Sequence, residues 1–148
     1  MSDAHGGCAL CHSTGGVLVA TGRRWRVIRA EDPAFPAFYR VVWAEHVAEF
    51  SSLPVSARAE CMSVVCAVEQ VLLRVLRPTK VNLAALGNVV PHLHWHVIAR
   101  FDWDSHFPQP IWGEAQRHVD SAAALLGVTL PDLDREVALA VGELSRED

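Results

Sequence analysis

The sequence predicts an α+β fold: a five-stranded antiparallel sheet with one long helix packed on it and further helices toward the C-terminal end. Three observations carry that expectation. Segments rich in β-branched and aromatic residues recur between turn residues near 17–43 and again near 80–100. A stretch beginning at Ser56 carries the three-and-four spacing of a helix. The chain of 148 residues is 51% hydrophobic and 20% charged, so it holds enough apolar material for a packed core. At this length one domain, 1–148, is the default.

Residues 17–20 (Val-Leu-Val-Ala) and 24–28 (Arg-Trp-Arg-Val-Ile) read as two antiparallel strands joined through Thr21 and Gly22 in a tight hairpin. Prolines and acids between Ala30 and Pro36 mark a loop that carries Asp32. Phe38–Trp43 has the composition of a third strand, and His46 follows just past its end. From Ser56, Met62, Val65, Glu69, Leu72 and Leu76 step by three and four, with Val68 and Val75 widening the apolar side. That is a helix of about five turns. Arg77-Pro78 stops it, because the residue before proline avoids the helical region and proline has no N–H to donate. Residues 80–85 form a fourth strand, 86–91 a loop, and 92–100 a fifth strand that pairs with the fourth. Helices are expected at 114–126 and 132–144, separated by Gly127, with Pro131, Asp132 and Asp134 suiting a first turn. Leu133, Val137, Val141 and Leu144 form a stripe for which the chain's own sheet is the expected partner.

The formal charge of −4, with Lys80 the only lysine, lacks the electrostatic footprint of a nucleic-acid binder and leaves a phosphorylated small molecule open. No apolar run approaches the ~18 residues of a membrane span, and no secretory signal is visible, so the expected compartment is the cytoplasm. A disulfide framework is not expected there, and Cys8-Ala-Leu-Cys11 stays open between half a zinc site, a redox pair and ordinary apolar residues. Cys61 and Cys66 fall on different faces of the long helix, as core or surface residues.

Eight histidines beside four cysteines are a metal or catalytic signal. Three of them stand in His92-Leu93-His94-Trp95-His96-Val97-Ile98. On a strand these three share one face, and Leu93, Trp95 and Val97 share the other. Neighbouring histidines would lie about 6.6 Å apart and the outer two about 13 Å apart, so a pair can clasp one metal but all three cannot easily do so. Two chemistries remain. A pair could bind a water-activating metal with Asp102 or Asp104, or one imidazole could itself be the nucleophile. Asn82 and Asn88 supply neutral amide donors suited to phosphate oxygens, which favours phosphoryl chemistry at histidine.

The run from His92 to Ile98 resembles the signature of the histidine triad (HIT) family, His-φ-His-φ-His-φ-φ with φ apolar. The surroundings resemble it too, from the Cys-x-x-Cys start through the hairpin, the third strand, His46 and the long helix, so the likeness spans roughly residues 8–104. Residues 111–146 are then a C-terminal helical extension. Leu86-Gly-Asn-Val-Val-Pro91 and His106-Phe-Pro-Gln-Pro-Ile-Trp112 are similar to a bacterial branch usually described as diadenosine polyphosphate hydrolase-like. The resemblance implies a nucleotide hydrolase or nucleotidyl transferase in which His94 attacks the α-phosphorus of a nucleoside phosphoanhydride or phosphoramidate. His96 would bond the phosphate or leaving group, His92 would buttress the site, Asn82 and Asn88 would hold phosphates, and Asp32 would meet the ribose. It also implies a structural zinc on Cys8, Cys11, His46 and His92, no organic cofactor, and a homodimer in which Trp112 either approaches the partner's site or joins the core. Two positions depart from the pattern. Ala99 replaces a proline, and Val89 replaces a serine or threonine phosphate ligand. The second departure also suits a nucleotide-binding regulatory protein with little catalysis. His5, His12, His106 and His118 receive no role.

Overall fold

The protein is described from a computed structural model covering residues 6–146, so His5 lies outside the described residues. A single helical turn, α1 (Ala9–His12), precedes the hairpin of β1 (Val17–Thr21) and β2 (Trp25–Arg29). Strand β3 (Phe38–Trp43) leads to helix α2 (Val55–Leu76), then β4 (Lys80–Ala84), β5 (His94–Arg100) and helix α3 (Leu130–Arg146). The five strands form one antiparallel sheet in the order β1-β2-β3-β5-β4. At the hairpin, Gly22 donates its N–H to the Trp25 carbonyl at 2.8 Å, and a Cβ there would run into the Trp25 indole. Glycine is the residue that this close approach admits.

Alternation divides the sheet into two unlike faces. Val27, Tyr39, Val41, Val97 and Ala99 are buried on the side covered by α2, whose Val64, Val65, Val68 and Leu72 are fully enclosed. The C-terminal stripe behaves as its spacing predicts: Leu133, Val137 and Val141 of α3 have no exposed surface and pack with α2 and β1. Each such side chain contributes roughly 1.5–3 kcal/mol of apolar burial. Tyr39 reaches past the core to donate its hydroxyl to Asp134 at 2.7 Å, and Arg29 bonds the same carboxylate at 2.9 Å, which fastens α3 to β2 and β3. Helix α2 ends at Arg77, whose φ of 48° lies in the left-handed region ahead of Pro78. Cys61 is in the core and Cys66 on the surface, and none of the four cysteines forms a disulfide.

Two expectations fail. Strand β5 begins at His94, which leaves His92 just ahead of the regular strand. Residues 114–126 are not a helix. They run irregularly apart from one 3-10 turn at Ala122–Leu125. From 114 to 121 only Val119 is even half-buried, so no apolar stripe exists to dock a helix, and the backbone is captured elsewhere. The N–H groups of Gln116 and Arg117 both reach the Ser105 carbonyl, at 2.7 and 3.1 Å. The Arg117 guanidinium bonds the carbonyls of Asp104 and Phe107, at 2.5 and 2.8 Å.

The receiving loop is organised by Asp104, a buried carboxylate at the end of β5. It accepts from Arg100 at 2.8 and 3.1 Å, and from the backbone N–H of Phe101, His106 and Phe107 at 3.1, 3.0 and 2.8 Å. Burial alone would raise this carboxyl; the Arg100 guanidinium and the three amides overcome that and hold it below the ordinary carboxylate value. Asp104→Ala leaves Arg100 buried without its counter-charge, and we expect a loss of about 3–5 kcal/mol of stability, read from the urea unfolding midpoint.

Candidate active site and metal cluster

The second face of the sheet carries the candidate site. Pairing of β3 with β5 sets His94 opposite Val42 and His96 opposite Arg40, so the two imidazoles and the guanidinium project from neighbouring strands on one side. They line a pocket of about 590 Å³, a size suited to a small-molecule ligand. Its walls are largely apolar, with Leu10 from α1 and Leu86, Val89 and Val90 from the loop before β5. Gly87 turns that loop at φ 71°, and Asn88 follows it into the pocket lining. Trp112 is half-exposed, not a core residue, and its ring stands 5.2 Å from that of His96 in the same chain.

Hydrogen bonds give the two imidazoles opposite tautomers. His94 Nδ1 lies 2.6 Å from the carbonyl oxygen of His92, a bond that requires the proton on Nδ1 and leaves the lone pair on Nε2. His96 Nδ1 instead accepts from Arg40 Nε at 3.4 Å, which leaves its proton on Nε2. One ring thus offers a lone pair and the next a donor, with ring centroids 4.9 Å apart. Burial lowers the pKa of both. For His94 the bond to His92 partly opposes this, and the Arg40 charge adds to it. For His96, burial, the adjacent His94 and Arg40 together bring the imidazole down to about 4. Both rings are therefore neutral at neutral pH.

His92 does different work. It is buried, and its Nε2 bonds the Trp43 carbonyl at 2.6 Å, so the proton sits there and Nδ1 faces a second cluster. Cys8 Sγ and Cys11 Sγ each lie 3.4 Å from that Nδ1, His46 Nδ1 lies 3.2 Å from it, and Cys11 Sγ is 3.3 Å from His46 Nδ1. A tetrahedral ion with bonds of about 2.3 Å to sulfur and about 2.05 Å to nitrogen needs edges of roughly 3.5 Å (S···N) and 3.3 Å (N···N). The four distances above match those edges, and the four donors, all within 4.8 Å of one another, could hold a metal ion. Arg26 secures the segment that delivers the cysteines, donating to the carbonyls of Leu10, Ser13 and Thr14 at 2.9, 3.0 and 3.2 Å.

The other sequence candidates fall as follows. Asn82 is outside this pocket, in an adjoining depression that shares Trp112 with it, and its carbonyl oxygen accepts from Arg100 at 2.9 Å. Asp32 caps its own loop by accepting the Ala34 N–H at 3.0 Å, and its charge acts on Arg40. Neither Asp102 nor Asp104 joins a histidine pair. Asp102 is exposed, Asp104 belongs to Arg100, and the metal-capable cluster found among the described residues contains no carboxylate. His106 bonds Ser105 at 2.7 Å, and His118 pairs with Asp120 on the surface. Arg40 was the residue that sequence reasoning passed over. What sets it apart is its register opposite the third triad histidine, which only the folded sheet shows.

An antiparallel sheet that presents two imidazoles of a His-x-His-x-His run to a pocket defines a histidine-triad class of protein. The model of the HIT domain matches residues 16–103, more than half of the chain, and the chain belongs to that family. It is similar to a histidine triad protein from Bradyrhizobium japonicum, at 27% identity and a TM-score of 0.69, over 84% of this chain and 92% of that one. A histidine triad protein from Marinobacter aquaeolei shares the fold at 23% identity and a TM-score of 0.70, over 88% and 92% of the two chains. A zinc-bound histidine triad family protein from Mycobacterium smegmatis shares it at 16% identity and 0.62, over 96% and 98%. No match was found among curated proteins. No helix among the described residues is long and apolar enough to cross a membrane.

The lowered His96 pKa makes stability depend on pH. Between about 6.5 and about 4 the unfolded imidazole binds a proton that the folded one refuses, so this stabilisation is complete above about 6.5 and is lost as pH falls through about 4. At ~1.36 kcal/mol per pH unit it amounts to about 3 kcal/mol. The urea midpoint should fall across that window, and by less in His96→Asn than in wild type.

Proposed function

We propose that this protein is a nucleotide hydrolase, of the diadenosine polyphosphate hydrolase-like branch, that works through a nucleotidyl-histidine on His94. The observation that carries this is the bond from His94 Nδ1–H to the His92 carbonyl, which leaves the Nε2 lone pair as the attacking group. The neutral state enforced by burial keeps that lone pair available. In this reading Nε2 forms a bond to the α-phosphorus while the bond to the leaving oxygen breaks, and water then cleaves the P–N bond to release a nucleoside monophosphate. His96 Nε2–H bonds the phosphate or leaving group. Asn88 stands in the pocket wall for the phosphates. Asn82 is oriented by Arg100 through its oxygen, so its amide N–H groups are left for a phosphate that extends into the adjoining depression. Asp32 serves the ribose.

A second reading, a nucleotide-binding protein with little catalysis, draws on Val89, which is 92% exposed and offers no hydroxyl where the family pattern has a phosphate ligand. One experiment separates the two: brief mixing with a dinucleoside polyphosphate, followed by denaturing mass spectrometry. A nucleotide adduct on wild type that is absent from His94→Ala, with turnover down about 10⁴-fold or more and nucleotide binding retained, is the expected result. Binding without adduct or product at high enzyme concentration leaves the second reading.

We further propose that Cys8, Cys11, His46 and His92 hold a zinc ion. Four protein ligands leave no open position, so the zinc would serve as a structural clip. The His92 Nε2–H bond to Trp43 supports it by fixing Nδ1 as a ligand atom. The protein would act as a cytoplasmic homodimer, with β4 as the sheet edge opposite β1, the edge on which α3 packs. Purified protein should contain one zinc per chain by elemental analysis. Cys11→Ser should lose it and unfold roughly 10 °C lower in a thermal melt.

A further inference from the structure

Arg40 stands out among the groups around His94. It is the one residue with a fixed charge in the pocket lining, in a chain of net charge −4. Its guanidinium is half-buried, feels the Asp32 charge from the loop before β3, and forms no close ion pair among the described residues. It lies 4.8 Å from the Phe38 ring and spends a single N–H, on Nε, in bonding His96. An arginine carries five N–H donors in a rigid fork. The four on its terminal nitrogens therefore meet no protein acceptor among the described residues. A desolvated guanidinium with its fork unused, beside a nucleophile, is built for an anion.

Its bond to His96 has a second effect. Because Arg40 donates to Nδ1, that nitrogen must keep its lone pair, and an imidazolium at His96 would set N–H against N–H. His96 can hand a hydrogen bond to a departing group through Nε2, but it holds no spare proton to give away. Burial and the Arg40 charge act in the same direction.

We propose that Arg40 is the specificity-determining cation of this site: it holds His96 as a neutral donor and binds the departing phosphate, so that the pocket takes nucleoside phosphoanhydrides and disfavours phosphoramidates. The assignment rests on His94 as nucleophile, as proposed above. The chemistry balances without an acid. As the His94 Nε2 lone pair forms the P–N bond, the P–O bond to the bridging oxygen breaks and its electron pair stays on that oxygen. The oxygen leaves as part of a phosphate anion, held by Arg40 and His96 N–H. Water then attacks phosphorus, the P–N pair returns to Nε2, and the water proton passes to solvent. A phosphoramidate would have to expel an amide anion or take up a proton that His96 does not carry. Arg40 and His96 are cross-strand partners, whereas His94 faces Val42, so the positive charge sits with the leaving-group donor. It also supplies what Val89 lacks in the loop.

The test compares kcat/KM for a dinucleoside polyphosphate and a nucleoside 5′-phosphoramidate carrying the same base, in wild type, Arg40→Gln and Arg40→Lys, with adduct formation on His94 followed by mass spectrometry. Wild type should prefer the anhydride. Arg40→Gln should lower anhydride turnover by about 10²-fold or more, the cost of removing an anion-stabilising donor, while affecting the phosphoramidate much less. Arg40→Lys should restore part of the anhydride rate. Parallel losses on both substrates, or a wild-type preference for the phosphoramidate, would overturn the proposal while leaving the His94 reading intact. Absence of any His94 adduct with either substrate would instead remove that reading. If Arg40→Gln does not fold, the wild-type preference and the Arg40→Lys ratio still decide.

Discussion

The antiparallel pairing of β3 with β5 is the constraint on which the rest of the molecule depends. It buries Tyr39, Val41, Val97 and Ala99 beneath the helices, and by the same alternation turns Arg40, His94 and His96 to the opposite side. A slip of one residue would exchange the two sets, exposing the core and burying the imidazoles against α2. The apolar side is what fixes the register, and the polar side takes its geometry from it. At one end of this strand pair the ladder opens at Trp43 and Leu93 into the cysteine and histidine cluster; at the other, β5 ends in the Arg100–Asp104 pair. The site is therefore suspended between two tight polar clusters and backed by a dry core.

Within that frame the protein controls proton positions through neighbours. His94 and His96 are chemically identical and lie two residues apart, yet one faces a carbonyl and the other a guanidinium, and this difference assigns a lone pair to the first and an N–H to the second. Burial then withholds the additional proton from both. Neither effect needs an unusual residue. Each needs only that a specific backbone or side-chain group be the nearest partner.

Much of this was legible in the sequence because it rests on periodicity. The β-rich segments, the spacing along α2 and the stripe of Leu133, Val137 and Val141 each report a face that must be buried, and each emerged within a residue or two of its expected limits. The grouping of Cys8, Cys11, His46 and His92 followed from family resemblance, and the geometry brings those four donors together. What failed to show in the sequence depends on contacts between distant residues. The expected helix over 114–126 has no stripe of its own, and its backbone is claimed by Ser105 and Asp104, which local propensity does not register. Arg40 reads in sequence as one more strand residue between Tyr39 and Val41; its importance exists only once His96, 56 positions away, is placed across from it. The oxygen of Asn82 is engaged by Arg100, and that pairing is likewise visible only in three dimensions.

The peptide of His92 joins the two halves of the site. Its side chain answers to the cysteine cluster and to Trp43, while its carbonyl oxygen holds the proton of His94. Turning this one peptide plane would move the carbonyl away from Nδ1 and free the His94 ring to carry its proton on either nitrogen. The cluster of Cys8, Cys11, His46 and His92, if it binds the proposed zinc, would thus act as a torsional lock on a tautomer. Loosening it would take the lone pair from His94 Nε2 by relocating a hydrogen atom, with every side chain of the pocket still in place.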